Sequence, residues 1–402
     1  MNTHKSKVFG STLIIAGTTI GAGMLALPLA SAGIGFITSL MIMLGIWLLM
    51  VYTALLMLEV HQHADADATL HTLAQQFLGK KGKWVATFAM LFLFYALCAA
   101  YIAGGGEQFH QRLSSLMDIE ISPTVSTVIF TALVAGAVTL GTSSVDKINR
   151  VLFTIKILAM GITLYVLAPG INSGYLVNMP VQQALIISAL PVIFTSFGFH
   201  GSIPAVVKYL DKDIKGLRIA LILGSSLPLL LYVLWQVSTL GVLSQDELNA
   251  QDGLAGFMQA LSSTVQSGSV QNAISVFADL ALLTSFLGVS LGLFEFLGDS
   301  LKKHTKDSRV KTALITFVPP MAFALFYPQG FIMALGYAAI ALVVLAVFLP
   351  VKMAHTARKI HSSKSTYVVA GGSASLATCM IAGITIIATQ FLISFGLLAS
   401  IG

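Results

Sequence analysis

Eleven apolar stretches follow one another along the chain, at 8–32, 36–58, 84–109, 123–142, 148–168, 183–207, 217–240, 273–298, 310–327, 330–350 and 370–398. Each is close to the roughly 20 residues that a helix needs to cross a bilayer. The connections between them alternate in charge. Lys5 and Lys7 precede the first stretch. Every second connection is then basic: Lys80, Lys81 and Lys83; Lys147 and Arg150; Lys208, Lys212, Lys215 and Arg218; Lys302, Lys303, Lys306, Arg309 and Lys311; and Lys352, Arg358, Lys359 and Lys364. The intervening connections carry Arg112 with Asp118 and Glu120, or Asp246, Glu247 and Asp252, or nothing charged. Basic loops stay in the cytoplasm, so this alternation predicts a cytoplasmic amino terminus and a periplasmic carboxyl terminus. Of the 22 lysines and arginines, only Arg112 falls on the outer side.

Two stretches are interrupted where an ordinary membrane anchor would not be. The first carries Gly17-Thr18-Thr19-Ile20-Gly21-Ala22-Gly23, and the sixth carries Thr195-Ser196-Phe197-Gly198-Phe199-His200-Gly201 between Pro191 and Pro204. Glycine and β-branched residues lower helix propensity and free backbone N–H and C=O groups that hydrocarbon cannot satisfy. Those groups must face a site. A matched pair of broken spans points to a secondary transporter's binding site. Spans one to five and six to ten enter from opposite sides, each set beginning with its break. This predicts an inverted repeat of 1–170 and 171–352, followed by a loop and an added eleventh span in 353–402. Lys5, Lys7 and Ala30-Ser31-Ala32 imitate a signal peptide, but the apolar run between them is longer than a signal core and is interrupted, so it reads as a retained span.

Two connections predict amphipathic helices. Leu70, Leu73 and Phe77 recur at helical spacing before Gly79 and suggest an interfacial helix. Leu254, Phe257, Met258 and Leu261 form an apolar stripe in the long outer loop, a lid or a simple cap on the bundle. Composition agrees with a membrane protein: 56% of the 402 residues are hydrophobic and 9% are charged, with a mean hydropathy of +0.88. The net charge of +6 is explained by the basic loops, so no nucleic-acid partner is expected. Cys98 and Cys379 both fall in apolar stretches and suggest neither a disulfide framework nor a metal site.

A break in the first span leaves a new helix start near Gly21 to Met24, whose N–H groups and dipole suit a carboxylate. The bare carbonyls near Ala16 to Thr18 suit an ammonium or a metal cation. One broken helix thus receives both charges of an amino acid. Close packing competes, because Gly17 and Gly21 also spell GxxxG, although packing does not call for a third glycine and two threonines. The candidate substrate-binding residues are Gly17, Thr18, Thr19, Gly21, Ala22 and Gly23 in the first span and Ser196, Phe197, Gly198, Phe199 and His200 in the sixth. Tyr101 in the third span, beside Gly104-Gly105-Gly106, joins them or satisfies a local carbonyl. Phe197 and Phe199 wall an aromatic pocket or fill core, and His200 relays a proton or bonds a freed carbonyl.

Lys156 lies about nine residues inside the fifth span, deeper than a snorkelling anchor requires. Together with Thr284 and Ser285 of the eighth span it forms the candidate proton-coupling set; the two hydroxyls can also bond their own preceding turn. Glu107 and Asp279 are candidate gate residues in the outer halves of their spans. Glu59 and Glu295, near cytoplasmic ends, read as interface charges. No G-x-x-x-x-G-K-[ST] phosphate loop and no H-E-x-x-H motif is present, which leaves nucleotide-driven transport and metalloprotease chemistry without support. A channel would need a continuous polar lining, and an enzyme built on Ser196 and His200 would need a third, orienting carboxylate. The sequence reads as a carrier rather than an enzyme, with no cofactor, resident metal or obligate protein partner.

The strings Ala16-Gly-Thr-Thr-Ile-Gly-Ala-Gly-Met-Leu-Ala-Leu-Pro28, Pro191-Val-Ile-Phe-Thr-Ser-Phe-Gly-Phe-His-Gly-Ser-Ile-Pro204, Ala278-Asp-Leu-Ala-Leu-Leu-Thr-Ser-Phe-Leu-Gly288 and Ala324-Leu-Phe-Tyr-Pro328 resemble the hydroxy and aromatic amino acid permease family across essentially the whole chain. The resemblance implies an all-α integral membrane protein of eleven spans in the leucine-transporter-like fold. It also implies a bacterial inner-membrane location and proton symport of tyrosine. Tryptophan permeases share both breaks, so tryptophan or a broader aromatic substrate stays open, as does sodium coupling. Thr195-Ser196-Phe197 and Met24-Leu25-Ala26-Leu27 sit nearer the tyrosine branch. A lysine in the fifth span resembles the proton-bearing lysine of some related transporters, a role that falls on Lys156 by position.

Overall fold

The computed structural model describes residues 2–117, 121–178, 183–251, 253–264, 268–301, 309–361 and 367–400. Asp118, Glu120, Asp252, Lys302, Lys303, Lys306 and Lys364 of the charge pattern lie outside the described residues. Among those described, the chain is helical with no strand.

The first span is α1 (Asn2–Thr19) followed by α2 (Gly23–Ser31), bent by 54° at the glycine cluster. Next come α3 (Gly35–His61) and α4 (Leu70–Met117). At Gly79 a left-handed φ of 71° separates the interfacial turns of α4 from its membrane-crossing part. A residue with a Cβ is strained there. Leu70, Leu73 and Phe77 are buried, as their spacing predicts. Ser122 accepts from the Val125 amide and caps α5 (Pro123–Leu140), which leads to α6 (Thr142–Leu167) and the short α7 (Ser173–Val177).

The sixth span is assembled from α8 (Gln183–Ser188), α9 (Leu190–Ser196) and α10 (Ile203–Tyr209). Pro191 and Pro204 lie in the first turns of α9 and α10, where a missing N–H costs nothing and the fixed φ favours restarting a helix. The chain continues with α11 (Ile214–Val242), α12 (Gln245–Asn249) and α13 (Gly253–Ser263), then α14 (Gly268–Leu301), α15 (Arg309–Phe326) and α16 (Phe331–Val343). A π-helical turn at Val344–Phe348 joins α16 to α17 (Leu349–Ile360), and α18 (Gly372–Ser394) ends the described chain. Among the described residues, ten helices are long and apolar enough to cross a membrane, or eleven spans with the bent first pair counted as one.

The bundle is hydrophobic outside as well as inside. Trp84, Phe88, Leu133 and Leu158 are exposed, which in a chain of this composition means facing lipid. In the centre, α2 packs on α9 and α11, α9 on α3 and α16, α1 on α11, and α14 on α4 and α6. The stripe Leu254, Phe257, Met258 and Leu261 is fully buried, seating α13 over α2, α4, α14 and α16.

One expectation is corrected here. Glu59 is not an interface charge: it is 1% exposed and clasped by Arg358, whose Nε and Nη2 donate at 2.6 and 2.8 Å, while the Val369 amide donates at 2.8 Å. A carboxylate is buried only when paired and hydrogen-bonded, and α17 supplies the partner from nearly 300 residues away in sequence. Glu295 is exposed, as an interface charge should be.

Candidate substrate and cation site

The two helix breaks meet. Ser196, the last residue of α9, donates from Oγ to Gly23 O at 2.9 Å, and a Cβ on Gly23 would lie 3.1 Å from Ser196 Cα. Glycine at position 23 is therefore what allows α2 and α9 to touch. Gly21 serves the same purpose toward α14, where an added Cβ would lie 3.0 Å from Ser285 Oγ. Gly17 does not: a Cβ there would only reach ordinary contact with Phe153 at 3.8 Å. The packing explanation of the glycine cluster thus holds for two glycines and not for the GxxxG pair.

Tyr232 of α11 binds the two breaks together. Its ring is fully buried against Phe197, edge to face at 5.2 Å. Its hydroxyl lies 2.7 Å from Thr19 O and 2.9 Å from Ser196 O, the terminal carbonyls of α1 and α9. The last carbonyls of a helix have no amide of their own helix to accept from, and one phenol proton is shared between these two. Four residues on, Gln236 donates to Leu27 O and to Ser31 Oγ, fastening α11 to the far end of α2.

Lys156 is 3% exposed. Its Nζ donates to Ile20 O at 3.1 Å and to Thr284 Oγ1 at 3.3 Å, and it sits 4.5 Å from the centre of the Phe153 ring. The Thr284 hydroxyl donates back to Leu280 O, which leaves its lone pairs for the ammonium. A fully buried ammonium is tolerated only with such partners. Ser285, next to Thr284, accepts from the Ala22 amide at 2.9 Å. The coupling set predicted from sequence therefore converges on the break of the first span: Lys156 and Thr284 on its carbonyl side, Ser285 on its amide side.

The other candidates divide. Thr19 contributes its carbonyl, because its hydroxyl turns back to Ile15 O. Thr18 is not drawn in: it is exposed, and its hydroxyl donates to Ile14 O. Phe197 and Phe199 are both buried beside the break. A Cβ on Gly198 would meet Leu342 at 3.1 Å, so this glycine admits α16. His200 points to α3, with Nε2 2.9 Å from Thr53 Oγ1. The Thr53 hydroxyl also lies 3.0 Å from Leu49 O and 3.2 Å from Met50 O, and His200 Nδ1 is buried and unpartnered among the described residues. Tyr101 is buried, 7% exposed, on α4. Gly104, Gly105 and Gly106 are packing positions, facing Phe331, Phe130 and Thr127.

Of the gate candidates, Asp279 accepts from Arg112 Nε at 2.9 Å, tying α14 to the end of α4. Glu107 of α4 faces the first turn of α13, where a Cβ on Gly253 would lie 3.9 Å from its Oε2. Sequence reasoning missed Tyr232, Thr53 and Phe153. A signal existed for two of them: Tyr232 and Gln236 are polar groups four apart in an apolar span, and Phe153 is three residues before Lys156, so each pair shares a helix face.

Backbone groups at two helix breaks, buried aromatic rings and a buried lysine meet in one place, and the relatives are transport proteins. "Tyrosine-specific transport system 1" of Haemophilus influenzae is 45% identical over 399 residues, covering 98% of each chain. "Tyrosine-specific transport system 2" of the same organism is 42% identical, again over 98% of each. The "Tryptophan-specific transport protein" of that organism is 32% identical over 98% of this chain and 97% of its own. With the family's conserved pattern matching residues 4–390, the chain belongs to the tryptophan/tyrosine permease family.

Proposed function

We propose that this protein imports L-tyrosine across the bacterial inner membrane by proton symport and alternating access, with its amino terminus in the cytoplasm and its carboxyl terminus in the periplasm. The observation that carries the reading is the Lys156 ammonium on the Ile20 carbonyl, at the point where the two breaks touch. A protonated lysine holds that carbonyl with a charge-assisted bond and keeps the Phe153 cation–π contact. A neutral amine holds both weakly. Proton occupancy is thereby linked to the geometry of α1 and α2. The substrate carboxylate takes the α2 start by replacing Ser285 on the Ala22 amide, its ammonium takes the terminal carbonyls of α1 and α9, and its ring lies beside Phe197 and Phe199.

The halves 1–170 and 171–352 act as inverted repeats that rock about this site, with 353–402 as an added element. The Arg112–Asp279 pair and Glu107, facing the start of α13, close the outer side. Tyrosine is preferred because the two nearest of the three relatives above are named for it. Lys156 occupies the carbonyl that a sodium ion would need, which favours the proton.

The test is labelled tyrosine uptake into sodium-free proteoliposomes under an imposed inward proton gradient, with tryptophan and phenylalanine as competitors. Accumulation abolished by a protonophore and competed best by tyrosine is expected. Lys156→Gln should lose accumulation and keep tyrosine exchange. Full concentrative uptake by that variant, or uptake only with added sodium, overturns the coupling assignment.

A further inference from the structure

Away from both helix breaks, α4, α5, α6 and α14 enclose a cavity of about 320 Å³. None of its lining residues comes from the broken spans, so it is separate from the helix breaks and shares with the description above only the Arg112–Asp279 pair. Its floor is apolar and buried, made by Phe130, Val134, Leu282 and Leu287, while Leu133 and Ile148 at its rim are exposed on the outer surface of the bundle. It is therefore a groove that opens sideways to hydrocarbon. Along α14 it extends from Asp279 to Leu287, eight residues or about 12 Å at 1.5 Å per residue. One leaflet's hydrocarbon is about half of the 30 Å core. The groove thus spans roughly one leaflet.

Its end near the α4–α5 connection is polar in an unusual way. Gln108 is 5% exposed and lines the groove, yet its Nε2 is buried without a partner among the described residues. Arg112, one turn further along α4, donates from Nε to Asp279 and from Nη1 to Asn272 Oδ1 at 3.4 Å, while its Nη2 is buried and unpartnered among the described residues. Unsatisfied buried amides are selected against, and hydrocarbon supplies no acceptor. Two idle donors side by side call for a group that only accepts. A phosphodiester is such a group, and Arg binds it well. Asp279 has a second carboxylate oxygen beyond the one that Arg112 engages, which suits a cation next to the phosphate.

We infer that this groove holds one phospholipid with a zwitterionic ethanolamine headgroup: phosphate on Arg112 and Gln108, ammonium toward Asp279, and one acyl chain along the floor toward Leu287. An anionic glycerol headgroup lacks the ammonium, and a free fatty acid lacks the phosphate. Such a lipid splints α4 and α5 to α14, the helix that carries Thr284 and Ser285. The assignment does not depend on which amino acid is carried.

The experiment uses the full-length protein, purified through detergent washes that strip loosely held lipid and then examined by native mass spectrometry. The wild type is expected to retain one phosphatidylethanolamine, with phosphatidylglycerol and palmitate each displacing it at least tenfold less effectively. Gln108→Leu removes an idle donor, and Ala137→Phe fills the groove. Each should lower retention at least fivefold in protein that still elutes and melts as a folded species. Unchanged retention in both overturns the site, and equal retention of palmitate overturns the phosphate assignment. Should either variant fail to fold, the wild type decides alone. Phosphatidylethanolamine with a diazirine in its acyl chain, irradiated after the same washes, should label peptides covering 130–137 and 279–287, and labelling confined to other peptides overturns the inference.

Discussion

Tyr232→Phe isolates the bridge between the two breaks. The substitution keeps the ring, its burial and its contact with Phe197, and removes only the hydroxyl shared by Thr19 O and Ser196 O. A buried hydrogen bond contributes about 1 kcal/mol net, and leaving a buried carbonyl without a donor costs about 1–3 kcal/mol more. With one proton for two acceptors, a single bond is lost at any moment, which puts the effect near 2 kcal/mol. At 1.4 kcal/mol per tenfold, that is about a 30-fold loss in any equilibrium that requires the breaks to be held together. Equilibrium binding of labelled tyrosine to detergent-purified protein measures it. Tyr95→Phe is the control, because its hydroxyl also makes a short bond, to Ile315 O at 2.7 Å, but in an exposed position remote from the breaks. It should change binding less than about twofold, the range of an ordinary exposed substitution. If the two variants bind alike, the bridge has no part in assembling the site and the reasoning fails.

Gly23→Ala places a methyl 3.1 Å from Ser196 and should destabilise the protein by about 1–3 kcal/mol, lowering its melting temperature, whereas Gly201→Ala, with no atom within 4 Å of the new methyl, should melt close to the wild type. Arg358→Leu strands the buried Glu59 and should cost about 3–5 kcal/mol, with partial recovery in the Glu59→Gln double variant; wild-type melting of the single variant would contradict the pairing. Between α11 and α13, the Ser244 hydroxyl and amide donate to Glu247 in the capping box of α12 and hold its carboxyl below the usual range. A depressed folded pKa stabilises above the unfolded value and loses that contribution as pH falls through the folded one. The protection factors of the α12 amides, taken relative to the intrinsic exchange rate at each pH, should therefore fall on acidification in the wild type, and Ser244→Ala should remove that pH dependence; an unaltered pH profile would speak against the cap.

Much of this protein is legible along the chain because the bilayer enforces local rules. Hydrocarbon demands that each span satisfy its own backbone, so length and hydropathy locate the helices, and the same demand makes Gly17 to Gly23 and Thr195 to Gly201 conspicuous. An ionisable residue in a span has to have partners, so Lys156 stands out, and Thr284 and Ser285 stand out as adjacent hydroxyls able to line a cavity. What sequence could not supply was who those partners are. Tyr232 touches Thr19 and Ser196 across 213 and 36 residues, and Glu59 finds Arg358 across 299. These are contacts between spans that all look equally apolar, and periodicity carries no information about which faces meet. The reach of a glycine is decided in the same way. Gly17, Gly21 and Gly23 are alike in sequence, and only the approach of α9 and α14 shows that two of them make room for a neighbour. The membrane sets local structure through solvation, whereas the site is set by packing between helices, which a one-dimensional pattern does not encode.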